Sequence, residues 1–227
     1  MSMNAPHWCL IFDCDGTLVD TESLLADEIA AAFNALGFPF TASDYLETYR
    51  GTAFDTIVEQ LQQRHGPIDF TAQQAREAQN AMRVRLNARM KEEITLIDGA
   101  LEMLKALEHI PHCIASNGPG DKIRLSMQMT GLGRFFGDRL YSGYDMKCWK
   151  PAPGMFLQAA RELGSTPERS IVIDDAMVGV RAGLAAHMHT VHFKGMHPKE
   201  ATPEGAIPLC SLRDLPAVVE HIRTTHA

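Results

Sequence analysis

The chain has 227 residues, 45% of them apolar, which is enough for one large α/β domain or a core carrying a smaller appended one. Lys and Arg number 21 against 28 Asp and Glu, and a net charge of -7 offers no electrostatic footprint for nucleic acid or an anionic membrane, although a local cationic pocket stays open to it. The five cysteines, Cys9, Cys14, Cys113, Cys148 and Cys210, are scattered and include no Cys-x-x-Cys pair, which argues against a disulfide framework or zinc ribbon and for a reducing cytoplasm.

Residues 1–7 carry no basic segment leading into a long apolar run, and no later stretch nears the ~20 apolar residues of a spanning helix, so neither secretion nor membrane insertion is expected. The apolar run Trp8-Cys9-Leu10-Ile11 predicts a buried strand, ended by Phe12-Asp13-Cys14-Asp15-Gly16-Thr17. Helical spacing follows: Leu25, Ile29, Ala32, Phe33 and Leu36 share a face until Gly37 and Pro39, and Phe54, Ile57, Val58 and Leu61 share another until Gly66-Pro67. Gln73 to Met90 predicts a third helix, with Ala75, Ala78, Met82, Leu86 and Met90 as its apolar stripe. Its Arg76, Arg83, Arg85 and Arg89 read as a solvated face. No strand is expected from Thr21 to Glu93, so this stretch reads as an all-helical insertion.

From Ile94 short apolar strands alternate with helices, the mark of a parallel sheet with crossover helices. Strands are expected at His112–Ala115, Arg139–Ser142, Ser170–Ile173 and, last, Thr190–Phe193. The helices between them carry Leu101 to Leu107, Asp121 to Leu132, Phe156 to Leu163 and Val178 to Ala186, and a C-terminal one has Pro216 in its first turn.

Chemistry-bearing residues recur just after these strands, where an open parallel sheet opens its ligand crevice. They are Asp13 and Asp15, then Ser116 and Asn117, then Lys150, then Asp174 and Asp175. Two carboxylates two residues apart raise each other's proton affinity unless a cation or a reaction uses them. Phosphoryl transfer needs such a set: a nucleophile, donors and a cation for the oxygens, and a metal to offset crowded charge.

This succession, Asp13-x-Asp15-Gly16-Thr17, then Ser116, Lys150 and Asp174-Asp175, resembles the four motifs of the haloacid dehalogenase superfamily, over about Cys9 to Phe193. The resemblance implies an α/β fold, a Rossmann-like doubly wound parallel sheet with an inserted helical cap. The core would be 1–19 and 95–227, and the cap 20–94. It implies that Asp13 becomes an aspartyl-phosphate while Asp15 protonates the leaving oxygen and later deprotonates water. Ser116, Asn117 and Lys150 would hold the phosphoryl group. Mg²⁺ would sit on Asp13, the backbone carbonyl of Asp15 and Asp175, with Asp174 ligating directly or through water, and Thr17 would orient the loop. Ala176 and Gly154 depart from the pattern at places where many relatives carry Ser and an acidic residue.

Asp15 argues against a dehalogenase, and Leu25 stands where the similar β-phosphoglucomutases carry a His, which favours hydrolysis over mutase action. Ser116-Asn117-Gly118-Pro119, Ser142-Gly143-Tyr144-Asp145 and Trp149-Lys150-Pro151 look closest to bacterial sugar-phosphate phosphatases of the 6-phosphogluconate phosphatase type. A small phosphorylated sugar or sugar acid is the substrate so implied. Arg50-Gly51 is the expected cap contact to it, with hinges near Val19 to Glu22 and Glu93 to Ile97. Two rival readings are a phosphomutase and a non-catalytic interaction or metal-binding protein, the latter built on His187, His189 and His192.

Overall fold

The computed structural model describes residues 7–66 and 68–226; the expected helix stop at Pro67 and most of the N-terminal stretch lie outside them. Strand β1, Cys9–Phe12, is apolar throughout and buried at all four residues, as a strand covered on both faces must be. After a tight turn the chain forms the two-residue strand β2, Val19–Asp20.

Helix α1, Glu22–Ala35, buries Leu24, Ile29, Ala32 and Phe33 and ends before Gly37, whose φ of 90° closes the run. A short helix α2, Ala42–Asp44, is started by a capping box in which Thr41 and Asp44 satisfy each other's backbone amides. It runs into a π-helical turn, Tyr45–Tyr49, which the sequence spacing did not reveal. Helix α3, Phe54–His65, and the long α4, Ala72–Glu93, follow, the latter capped by Thr71 and Gln74. Met82, Leu86 and Met90 of the α4 stripe are buried against α1 and α3, where Phe33 stacks on Phe54 with ring centroids 4.7 Å apart. The outward arginines of α4 are mostly surface groups: Arg85 pairs with Glu28, and Arg89 with Asp27 and Glu93.

Strand β3, Thr95–Leu96, then pairs antiparallel with β2, joining Val19 to Leu96 and Asp20 to Thr95. The chain goes on through α5, Ala100–Leu107; β4, His112–Ser116; α6, Gly120–Thr130; and the short α7, Gly133–Phe136. Next come β5, Leu140–Ser142; α8, Gly143–Met146; α9, Gly154–Glu162; and β6, Ser170–Asp174. The remainder is α10, Met177–Ala185; β7, His189–Phe193; β8, Ala206–Leu209; and α11, Leu215–Thr225. The six-stranded parallel sheet has the order β5-β4-β1-β6-β7-β8. Strand alternation sends Leu10, Phe12, Ile171 and Ile173 to a face covered by α5, α6 and α11, and Cys9, Ile11 and Val172 to one covered by α9 and α10. Thr190–Phe193 was expected to end the sheet, but β8 extends it. Pro208 hides that strand from a propensity reading, and an edge position tolerates the missing donor.

Residues 24–90 supply all the buried members of one apolar cluster, with Ile94 and Leu125 packing on it from outside that range, and the other two clusters sandwich the sheet. We propose that the chain divides accordingly, into a helical cap of 20–94 and a core of 1–19 and 95–227.

Candidate active site

From β1 the sheet grows outward through β4 to β5, and the chain then returns to the other side of β1 to lay down β6. The crevice at such a reversal opens at the strands' carboxyl ends, and Asp13 and Asp174 stand on its two sides. Lys150 spans them, its Nζ 2.5 Å from Asp13 Oδ1 and 2.7 Å from Asp174 Oδ2. The lysine side chain is 3% exposed, so its charge and the two carboxylates hold one another in the interior. Burial pushes the Asp13 carboxyl up to about 7, against the pull of Lys150 and with Asp174 and Asp15 adding to the rise.

Asp175 is also buried, and its carboxyl is pushed well above the carboxylate range by burial first and then by Asp13 and Asp174. Thr17 Oγ1 donates to Asp175 Oδ1 at 2.9 Å and accepts from the Asp175 backbone amide at 3.1 Å, so Thr17 orients the acidic pair. The other oxygen, Oδ2, is buried without a hydrogen-bond partner among the described residues. Gly16, at φ 78°, passes so close that a Cβ would run into the Asp175 carboxylate. Gly16→Ala is therefore expected to cost about 2–3 kcal/mol in a denaturant titration, from backbone strain and this collision together.

Asp13, Asp174 and Asp175 each offer an oxygen within 4.8 Å of one another. All-oxygen donors, a buried carboxylate oxygen with no hydrogen-bond donor among the described residues and three negative groups crowded in the interior fit a hard divalent cation such as Mg²⁺.

Asp15 has a different setting. Its Oδ1 takes a hydrogen bond from Thr21 Oγ1 at 2.5 Å and an ion pair from Lys122. Burial acts to raise its carboxyl, but Lys122 and Thr21 outweigh burial and hold it below the usual range. Lys122 was not singled out from sequence. The signal was its place in the first turn of α6, where a cation meets the positive end of the helix dipole and is favoured only if a carboxylate compensates.

Ser116 ends β4 at the crevice and its Oγ accepts from the Gly118 amide at 3.0 Å. Asn117 fastens the loops together rather than standing free: its Oδ1 accepts from Lys150 N at 2.8 Å, and its Nδ2 donates to the Lys150 and Gly51 carbonyls. Arg50 and Gly51 come to the same crevice from the helical insertion. The Arg50 guanidinium donates to the Asp175 carbonyl at 2.9 Å and pairs with Glu200 at 2.5 Å and Glu22 at 3.4 Å. The close backbone approach expected of Gly51 is made to Ala176 and Val178, not to open space. Both residues clasp the insertion to the carboxyl ends of the sheet's inner strands, and both line a cavity of about 930 Å³, open mouth included, that reaches Asp13, Asp15, Ser116 and Lys150.

The haloacid dehalogenase-like hydrolase model matches residues 9–187. The chain belongs to that family. A 6-phosphogluconate phosphatase of Escherichia coli is 30% identical over 200 residues, 85% of this chain and 88% of its own. Hexitol phosphatase A of the same organism is 30% identical over 80% of each chain. A haloacid dehalogenase family hydrolase from Deinococcus radiodurans, crystallised with phosphate and sodium, superposes with a TM-score of 0.68 at 28% identity, covering 97% of this chain and 98% of its own.

Within this hydrolase family frame, Leu25 lines the cavity as an apolar wall, and Ala176 sits under Gly51. The histidines of the rival metal reading are not brought together: His189 bonds the Glu168 carbonyl beside Trp8, whereas His192 faces Thr202. Arg83 departs from its expected solvated face and lines the cavity too, its guanidinium 4.7 Å from the Tyr144 ring centroid.

Proposed function

We propose that this hydrolase removes phosphate from a small phosphorylated metabolite, a sugar phosphate or phosphorylated sugar acid, through an aspartyl-phosphate on Asp13. The observation that carries the reading is Lys150 bridging Asp13 and Asp174 at the sheet's reversal point. The lysine fixes the Asp13 carboxylate for in-line attack and supplies positive charge for the transferring oxygens. Ser116 and the amides after it donate to the phosphoryl group. Asp15, kept ionised by Lys122, deprotonates the water that opens the acyl phosphate. To protonate the leaving oxygen first, it takes up a proton as the pair with Lys122 loosens.

Mg²⁺ would be held by Asp13, the Asp15 carbonyl and Asp175, with Asp174 behind them, and when bound it would neutralise the charge that builds on the phosphoryl oxygens. The phosphatases among the relatives support the substrate class, and the apolar Leu25 supports water over a second sugar hydroxyl as the acceptor. The unpaired thiols, three of them buried, accord with a cytoplasmic setting, and among the described residues no helix is long and apolar enough to cross a membrane.

The test is phosphate release from a panel of phosphorylated sugars and sugar acids, in Mg²⁺ and in EDTA. Metal-dependent turnover is expected, and none from any substrate would reject the reading. Independently of turnover, Mg²⁺ at a hundred times its Kd is expected to add about 2.7 kcal/mol of stability, read as a rise in Tm over EDTA.

A further inference from the structure

Four cationic side chains line the cavity: Lys150, Lys122, Arg50 and Arg83. Lys150 is shared by Asp13 and Asp174, Lys122 is paired with Asp15, and Arg50 is enclosed by Glu22, Glu200 and the Asp175 carbonyl. Arg83 alone has no carboxylate within ion-pair distance among the described residues. Its neighbours along α4, Arg85 and Arg89, each have at least one. Its Nη2 is nonetheless buried and without a hydrogen-bond partner, an arrangement that is unfavourable unless something that enters the cavity satisfies it.

The Arg83 guanidinium lies 4.7 Å over the Tyr144 ring, a cation–π contact that anchors it while Nη2 keeps an unused donor for an anion. Tyr144 is itself fixed, since Gln79 donates to its hydroxyl at 2.9 Å. Asn87, one helical turn beyond Arg83, adds a second polar group to this wall, which also carries the apolar Met82 and Leu86. The cavity is thus bipolar: one end carries the carboxylates and Lys150, and the α4 wall carries one uncompensated cation.

We infer that Arg83 reads a second anionic group on the substrate, remote from the transferred phosphate, and sets a preference for phosphorylated acids over neutral sugar phosphates. The inference rests on the reading of this cavity as the phosphatase site. It also moves anion recognition away from Arg50, whose charge is already balanced.

The experiment compares 6-phosphogluconate with glucitol 6-phosphate, which differ only by a carboxylate in place of a hydroxymethyl group. In the wild type the acid is preferred. Arg83→Gln lowers the ratio of kcat/KM for acid over neutral substrate by roughly 10- to 100-fold, through KM, and Arg83→Lys retains part of it. The ratio cancels any general damage to folding or chemistry. A ratio unchanged in Arg83→Gln, or a wild type that prefers the neutral ester, overturns the inference.

A second arm measures affinity by calorimetry in the Asp13→Asn background, with and without Arg83→Gln, for these two ligands and glucitol 1,6-bisphosphate. An Arg83-dependent preference for either ligand with an anion at both ends over glucitol 6-phosphate supports the inference, and the tighter of the two names the anion. Equal affinity for all three overturns it. Absence of phosphate release from every substrate would reject the phosphatase reading alone, because the affinity arm requires no turnover.

Discussion

Asp13→Asn is expected to lower phosphate release by at least about 10³-fold while leaving the protein folded, because the substitution removes the proposed attacking oxygen and little else. Asn keeps the shape and an acceptor for Lys150, which retains Asp174 as its charged partner. Stability gives the prediction a second, independent arm. The Asp13 carboxyl is raised from 3.8 to about 7, chiefly by burial, so its ionised form is disfavoured in the folded state. Its contribution is therefore fully present below about pH 4 and is lost as pH rises toward 7. In EDTA the wild type should lose stability across that window, and Asp13→Asn should flatten the slope. Wild-type turnover in the Asn variant would place the nucleophile elsewhere.

Lys150→Met should be the most disruptive single change for the fold. It keeps most of the volume but leaves Asp13 and Asp174 facing each other in the interior with no cation between them. Breaking one side of a buried charge cluster costs about 3–5 kcal/mol, and denaturant midpoints in EDTA should register a loss of that order. Turnover should fall by about 10² or more, since in the proposed reaction the same ammonium serves the transferring oxygens. Mg²⁺ should restore part of the stability but not the rate. A Met variant as stable as wild type in EDTA would show that Lys150 is not the cation that holds these carboxylates in the interior.

Much of this site was legible because its residues come at strand ends, where sequence pattern is strongest. The continuous apolar runs of β1 and β6 announced buried parallel strands, and the acids that stop them could only face the crevice. Lys150 was legible by its motif, although seven residues separate it from the end of β5. What stayed hidden is what three-dimensional pairing decides. Arg83 and Arg85 look alike in sequence; one turns into the cavity over Tyr144 and the other out to Glu28. Arg50 was expected to contact substrate from the cap; it does line the crevice, but its partners Glu22 and Glu200 lie far apart along the chain, so the clasp they form could not be read. Lys122 carried a local signal, a cation against a helix dipole, that only a tertiary partner explains.

The paired strands β2 and β3 carry one more implication. Asp20 and Thr95 are hydrogen-bonded neighbours, so the chain leaves the core and re-enters it at the same point. To the parallel sheet, the whole helical insertion is topologically equivalent to a hairpin turn, and loop-closure entropy grows only slowly with what the turn contains. The insertion can therefore lengthen, shorten or be exchanged for another with no shift in the register that sets Asp13 beside Asp174. A fold wired in this way keeps its chemistry constant while its choice of substrate drifts.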